Sequence, residues 1–147
     1  MHQARRMTRI DELLAMFNEQ ARLARTMGLR LSFTEDRRAV VEMPYNRDYD
    51  HALGGVHGGV YMTLLDSAAW FTSAAAHDDS IWVATSELTV HLLKPVHGSA
   101  LRAVGRIIQS GRRQDIVEAH LYAEGDQLVA HAVGTFTVLP HLRTDEG

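Results

Sequence analysis

The stretch Gly54 to Ala76, GGVHGGVYMTLLDSAAWFTSAAA, holds the residues best suited to chemistry. His57 precedes the pair Gly58 and Gly59, and Asp66 follows in a run of Leu, Ala and Phe. A carboxylate can take a proton from water. The first turn of a helix carries unpaired N–H groups and a partial positive charge of about +0.5, and glycines there let an oxyanion or a polarised carbonyl come close. Gly58 and Gly59 are therefore candidate oxyanion donors, although a tight turn would call for the same residues. Asp66 needs a reason to sit among apolar neighbours, because burying an ionised carboxylate costs several kcal/mol unless it is paired or neutralised. Either it is a structural acid bonded to a hydroxyl or a base, or it does chemistry. At about 1.5 Å per residue, eight helical residues place Asp66 roughly 12 Å beyond Gly58. One small reacting group cannot touch both within a single chain. If the two act together they come from different subunits, and a twofold homodimer with two equivalent sites is the simplest closed arrangement.

These residues need a helix and a frame to hold it. Val60 to about Ala76 is apolar on several faces, which predicts a helix wrapped by other structure. The loop before it, YNRDYDHALGGVHGG from Tyr45 to Gly59, is long, polar and rich in Gly and His, as functional or disordered loops are. Further upstream, Ile10, Leu13, Leu14, Phe17, Ala21 and Ala24 recur every three or four residues, predicting an N-terminal helix over about 8–27. Thr8 with Asp11 makes a weak capping box at its start, and Gly28 suits its end. LRLSFTE and RAVVEMP read as a hairpin closed by Pro44. After the central helix, WVATSELTVHLLKP, ALRAVGRIIQSG, RQDIVEAHLYAEG and QLVAHAVGTFTVLP read as four strands joined by short turns, which favours a meander. The expectation is a single α+β domain over 1–147: a curved antiparallel sheet of about six strands around one long helix, with the core at about 29–139. The terminal RTDEG reads as a frayed tail.

Composition narrows the function classes. The chain has 147 residues, enough for one ordinary domain, and a formal net charge of -3 provides no broad field for nucleic acid or an anionic membrane. It has no cysteine, so disulfides, thiolate metal sites and a cysteine nucleophile are excluded, and a reducing cytoplasm is the expected location. No apolar run reaches the length of a membrane span, and the N-terminus has no leader-like apolar region.

The pattern Gly54-x-x-His57-Gly58-Gly59-x-x-x-x-Leu64-x-Asp66-x-Ala68 resembles the signature of hotdog-fold acyl-CoA thioesterases, in the branch of the phenylacetic-acid-degradation thioesterases. TSELTVHLLKP and SGRRQDIVEAHLYAEGDQLVAHAVGTF are similar to strands of that family, so the resemblance covers about 29–139. It implies hydrolysis of an acyl- or aryl-acyl-CoA thioester, with CoA as part of the substrate and no separate cofactor. Asp66 matches the acidic residue that acts as general base or nucleophile, and Gly58 the backbone N–H that polarises the thioester carbonyl. His57 matches a positioning group, and Thr85 a hydroxyl that helps hold the attacking water. His51 departs from the pattern, because many relatives carry Asn or Gln six residues before the motif histidine. Imidazole can donate one hydrogen bond as an amide does, or it can alter the pH profile. Lys94, Arg112 and Arg113 match regions that meet the nucleotide end of CoA, with Arg102 and Arg106 added on charge alone. Tyr61, Met62, Trp70, Phe71 and Trp82 are candidates for the acyl pocket. The resemblance also implies a homodimer with sites at the subunit boundary and further pairing to a tetramer.

Other classes fit less well. The pair His51 and His57 has no zinc spacing and no HExxH occurs, so no metal is assigned to this site. No G-x-S-x-G elbow supports a serine triad. A non-catalytic acyl-CoA-binding module remains open as the alternative to an enzyme.

Overall fold

The computed structural model describes residues 7–140, so the tail expectation at RTDEG lies outside the described residues. Thr8 caps the first helix, α1 (Arg9–Ala15), in both directions: its hydroxyl accepts from Asp11 N–H and its own N–H donates to the Asp11 carboxylate. The weak box is thus a complete one. The N-terminal segment does not run as one helix. It widens into a π-helical turn, Met16–Gln20, and opens at Ala21 (φ -76, ψ 108) before α2 (Arg22–Met27). Asn18 accounts for part of the break, because its amide pairs with both backbone groups of Leu31 and ties this turn to the sheet edge. Gly28 closes α2 in the left-handed region at φ 72.

The hairpin is β1 (Arg30–Phe33) with β2 (Ala39–Met43), paired antiparallel. The central helix α3 runs Gly58–Ala75. It is followed by β3 (Ile81–Leu92), β4 (Leu101–Ser110), β5 (Gln114–Ala123) and β6 (Gln127–Pro140). All six strands form one antiparallel sheet in the order β1-β2-β4-β5-β6-β3. Only β4, β5 and β6 form the expected meander; β3 crosses to the far edge and pairs with β6 instead of β4. The connection from Leu93 to Ala100 can do this because eight residues reach farther than the roughly 14 Å spanned by three strand spacings. Val56 N–H bonds Val96 C=O on its way, fastening that connection to the loop ahead of α3.

One sheet face packs on α3 through Val41, Ala103, Val117, Ala119, Leu121, Ala132 and Phe136, all fully buried against Leu64, Leu65, Ala68 and Ala69. The closest approach is at Gly105, where a Cβ would come within 2.6 Å of the Ala68 carbonyl and overlap the Thr72 hydroxyl. No helix of the described residues is long and apolar enough to cross a membrane.

Candidate active site

The sheet does not enclose α3 on every side. Gly59, Met62, Thr63, Asp66, Ser67 and Trp70, spaced by three and four, form a stripe of which no member is buried. Asp66 lies in the middle of it, half-buried: among apolar neighbours in sequence, it stands at an edge of the helix that the chain leaves open. Oδ1 accepts a hydrogen bond from Thr85 Oγ1 at 2.8 Å, and among the described residues Oδ2 has no partner. Thr85 reaches Asp66 because β3 carries a bulge between Thr85 and Glu87. Before the bulge Val83 and Thr85 face the helix; after it Leu88 and Val90 pack on the core while Glu87 turns outward to Thr135. One turn beyond Asp66, Trp70 donates its indole N–H to Val83 C=O at 2.9 Å and stacks with Trp82 at 6.4 Å. Met62 and Trp70 flank the carboxylate with apolar surface, whereas Phe71 belongs to the core and Tyr61, also buried, lies toward the helix N-terminus, its hydroxyl donating to Lys94 C=O.

The helix N-terminus forms a second group. His57 is the N-cap, with Nδ1 accepting from Gly59 N–H at 2.8 Å. A Cβ on Gly59 would sit 3.0 Å from that nitrogen, so the second glycine of the pair makes room for the cap. The cap uses the Gly59 donor and leaves Gly58 N–H as the one facing outward without a partner among the described residues. Gly58, His51, Lys94, Tyr61, Leu92 and Leu93 line one open cavity of about 240 Å³. His51 is oriented there by Leu53 N–H, which donates to its Nδ1 at 3.1 Å. The structure therefore gathers Gly58, His57, His51 and Lys94 at one end of α3, and Asp66, Thr85 and Trp70 about two turns away.

Arg112 and Arg113 are in neither group. They flank a separate depression of about 340 Å³ at the β4–β5 turn with Gln109 and Ile116, toward the C-terminal end of α3. Arg102 and Arg106 occupy the opposite sheet face, paired with Asp126 at 2.9 Å and Glu118 at 3.3 Å.

The same turn holds a polar cluster that sequence reasoning missed. Asp115 is fully buried and accepts from Ser73 Oγ (2.6 Å), His77 Nε2 (2.7 Å), Ser110 Oγ (2.8 Å) and Gly111 N–H (3.1 Å). Burial pushes its carboxyl up, but the four donors together outweigh burial and hold it below the ordinary value of 3.8. Ser73 and His77 both bond the carboxylate, so this is a structural knot joining α3 to β5 and not a relay from acid through imidazole to hydroxyl. Its signal in the sequence is faint: an aspartate at an inward position of an alternating strand.

Comparison with known proteins identifies the family and the fold. Residues 53–130, more than half of the chain, match the model of the thioesterase superfamily. A Bacillus halodurans protein whose crystal structure contains CoA is 33% identical, with a TM-score of 0.78 over 93% of this chain and 90% of its own. A Saccharolobus solfataricus protein provisionally classed as an esterase is 25% identical across 88% of this chain and 92% of its own length. A phenylacetic acid degradation-related protein of Ralstonia eutropha, 23% identical, shares the fold at a TM-score of 0.75 over 85% of this chain and 98% of that one. With the six-stranded sheet, the long helix packed on it and the superfamily match across the stretch that carries Gly58, Asp66 and Thr85, this chain belongs to the thioesterase superfamily and has the hotdog fold.

Proposed function

We propose that the protein hydrolyses acyl-CoA thioesters as a homodimer whose two active sites each combine groups from both subunits. The observation that carries this reading is the placement of Asp66: bonded to Thr85, on an open helix stripe, and about 12 Å along the helix from its own chain's Gly58 N–H. A second copy laid against that stripe would cover Met62 and bring its own helix N-terminus toward Asp66. Exposed Met62, Leu92 and Leu93 form apolar surface next to the two half-sites, as such an interface requires. The CoA bound by the Bacillus halodurans relative supports a CoA thioester as the substrate class.

In this mechanism Asp66 Oδ2 takes a proton from water while Oδ1 stays anchored on Thr85. The resulting hydroxide adds to the thioester carbonyl, whose oxygen becomes an oxyanion facing the partner subunit's Gly58 N–H. Collapse of the tetrahedral species breaks the C–S bond, and the CoA thiolate recovers the proton, giving free acid and CoA. One such donor contributes about 3 kcal/mol to lowering the barrier. Direct attack of the carboxylate on the carbonyl, through an anhydride later hydrolysed, uses the same placement. Trp70 and Met62 provide the apolar wall for the acyl group, His51 and His57 frame the carbonyl end, and Lys94, which lines the same cavity as Gly58, receives the CoA phosphates. Bound metal has no step in this scheme.

The test is thiol release from a panel of aryl-acetyl-, benzoyl- and medium-chain acyl-CoAs. Asp66→Asn is expected to lower turnover by orders of magnitude while the dimer persists in sedimentation; turnover near that of the native protein would overturn the assignment. Binding without release by the native protein would favour the non-catalytic module.

A further inference from the structure

On the sheet face turned away from α3, three side chains that are far from a motif in sequence converge. Glu118 and His120 are two apart on β5 and so point to the same side, while Val117, Ala119 and Leu121 between and beside them are buried against the helix. His131 on β6 lies directly opposite His120 in the β5–β6 register. One ligating atom from each residue falls within 4.8 Å of the other two, and all three residues are half-buried. His131 Nε2 and Glu118 Oε2 are 3.2 Å apart, and the two imidazole rings are centred 4.7 Å apart.

The geometry points to a binding site for a divalent first-row transition cation of the zinc type, held by Glu118, His120 and His131. Tetrahedral zinc with nitrogen and oxygen ligands at about 2.0–2.1 Å has ligand-to-ligand edges of about 3.3 Å. The His131 to Glu118 separation already matches such an edge, and a ring nitrogen of His120 lies within 4.8 Å of both ligating atoms. Two imidazoles and one carboxylate, with no thiolate, suit Zn²⁺, Co²⁺ or Ni²⁺ in preference to Mg²⁺ or Ca²⁺, which favour oxygen ligands throughout. Arg106 Nε sits 3.3 Å from the other oxygen, Oε1, and so directs Oε2 toward His131. Three protein ligands leave a fourth position for water or another ligand. His91 lies opposite His131 on β3, on the same face, and continues the row of imidazoles across three neighbouring strands. This site is independent of the thioesterase reading, since it sits across the sheet from Asp66.

Calorimetric titration of the chelator-treated full chain with zinc chloride tests it, with visible absorption of the Co²⁺-loaded protein reporting the ligand set. The expected result is one Zn²⁺ per chain, weakened about a hundredfold or more by His120→Ala or His131→Ala and about tenfold by Glu118→Gln, while His97→Ala in a distant loop changes nothing. His131→Gln, which keeps a polar side chain on the strand, serves if the alanine variant misfolds; circular dichroism monitors the fold. Absence of saturable binding, or binding of unchanged affinity in the His120→Ala/His131→Ala double variant, overturns the proposal.

Discussion

Thr85 donates its hydroxyl proton to Asp66 Oδ1 across 2.8 Å, a bond that a single extra residue in β3 makes possible by turning Thr85 toward the helix. The bond fixes the carboxylate's orientation and leaves its second oxygen free for water. Hydrogen bonds to a charged group are worth about 1.5–3 kcal/mol. Thr85→Val is therefore expected to lower kcat by about tenfold to a hundredfold with little change in KM, and Thr85→Ser to restore most of it. Steady-state thiol release measures both; a Val variant at native kcat would remove Thr85 from the mechanism.

Gly58 offers an unusually clean deletion of a backbone donor. It is the first residue of α3, where proline is tolerated, and His57 before it has φ -60 and ψ 135, a conformation that accepts a following proline. The nearest atom to a new Cβ is the flexible end of Leu92, at 3.0 Å. Gly58→Pro should fold and dimerise normally yet lose about a hundredfold in kcat, the worth of one oxyanion donor.

Sharing of sites between subunits has a quantitative signature. Subunits carrying Asp66→Asn, unfolded and refolded with subunits carrying Gly58→Pro, form mixed dimers in which one site has both groups intact. Statistical mixing restores about a quarter of native activity. No recovery, with mixed dimers present by mass spectrometry, would mean that each site is built from one chain.

Asp115 predicts an acid-labile junction. Its folded-state pKa lies below the ordinary value. The stability it contributes is thus fully present above about pH 4, the unfolded-chain value, and is lost as the pH falls through the folded-state value. Asp115→Asn should be destabilised relative to the native protein at pH 7 in urea unfolding, with the gap narrowing below about pH 4. Asp115→Ala, which strands Ser73, His77, Ser110 and the Gly111 N–H without their acceptor, should cost about 3 kcal/mol or more.

Gly105 marks where sheet and helix touch. Thr72 Oγ1 cannot swing aside to admit a methyl group, because it donates to Ala68 C=O at 2.8 Å and accepts from Ala39 N–H at 2.9 Å. Gly105→Ala should destabilise by about 2–3 kcal/mol, within the range for overpacked cores, and lower the thermal midpoint accordingly. An unchanged midpoint would contradict this contact.

Much of the molecule is legible in the linear chain because its signals are local. The helix at Gly58–Ala75, the capping box at Thr8, the left-handed stop at Gly28 and the hairpin all follow from spacing and residue type within a few neighbours. The thioesterase motif is similarly contiguous, and helix rise alone separates Gly58 from Asp66. Tertiary structure decided what depends on pairing between distant strands. The placement of β3 beyond β6 depended on how far an eight-residue connection reaches, and the bulge in β3 determined that Thr85, and not Glu87, faces the helix. That Asp66 lies on an uncovered stripe depended on which side of α3 the sheet leaves open. The Asp115 knot and the grouping of Glu118, His120 and His131 arise from backbone register, which brings together side chains whose linear spacing carries no motif.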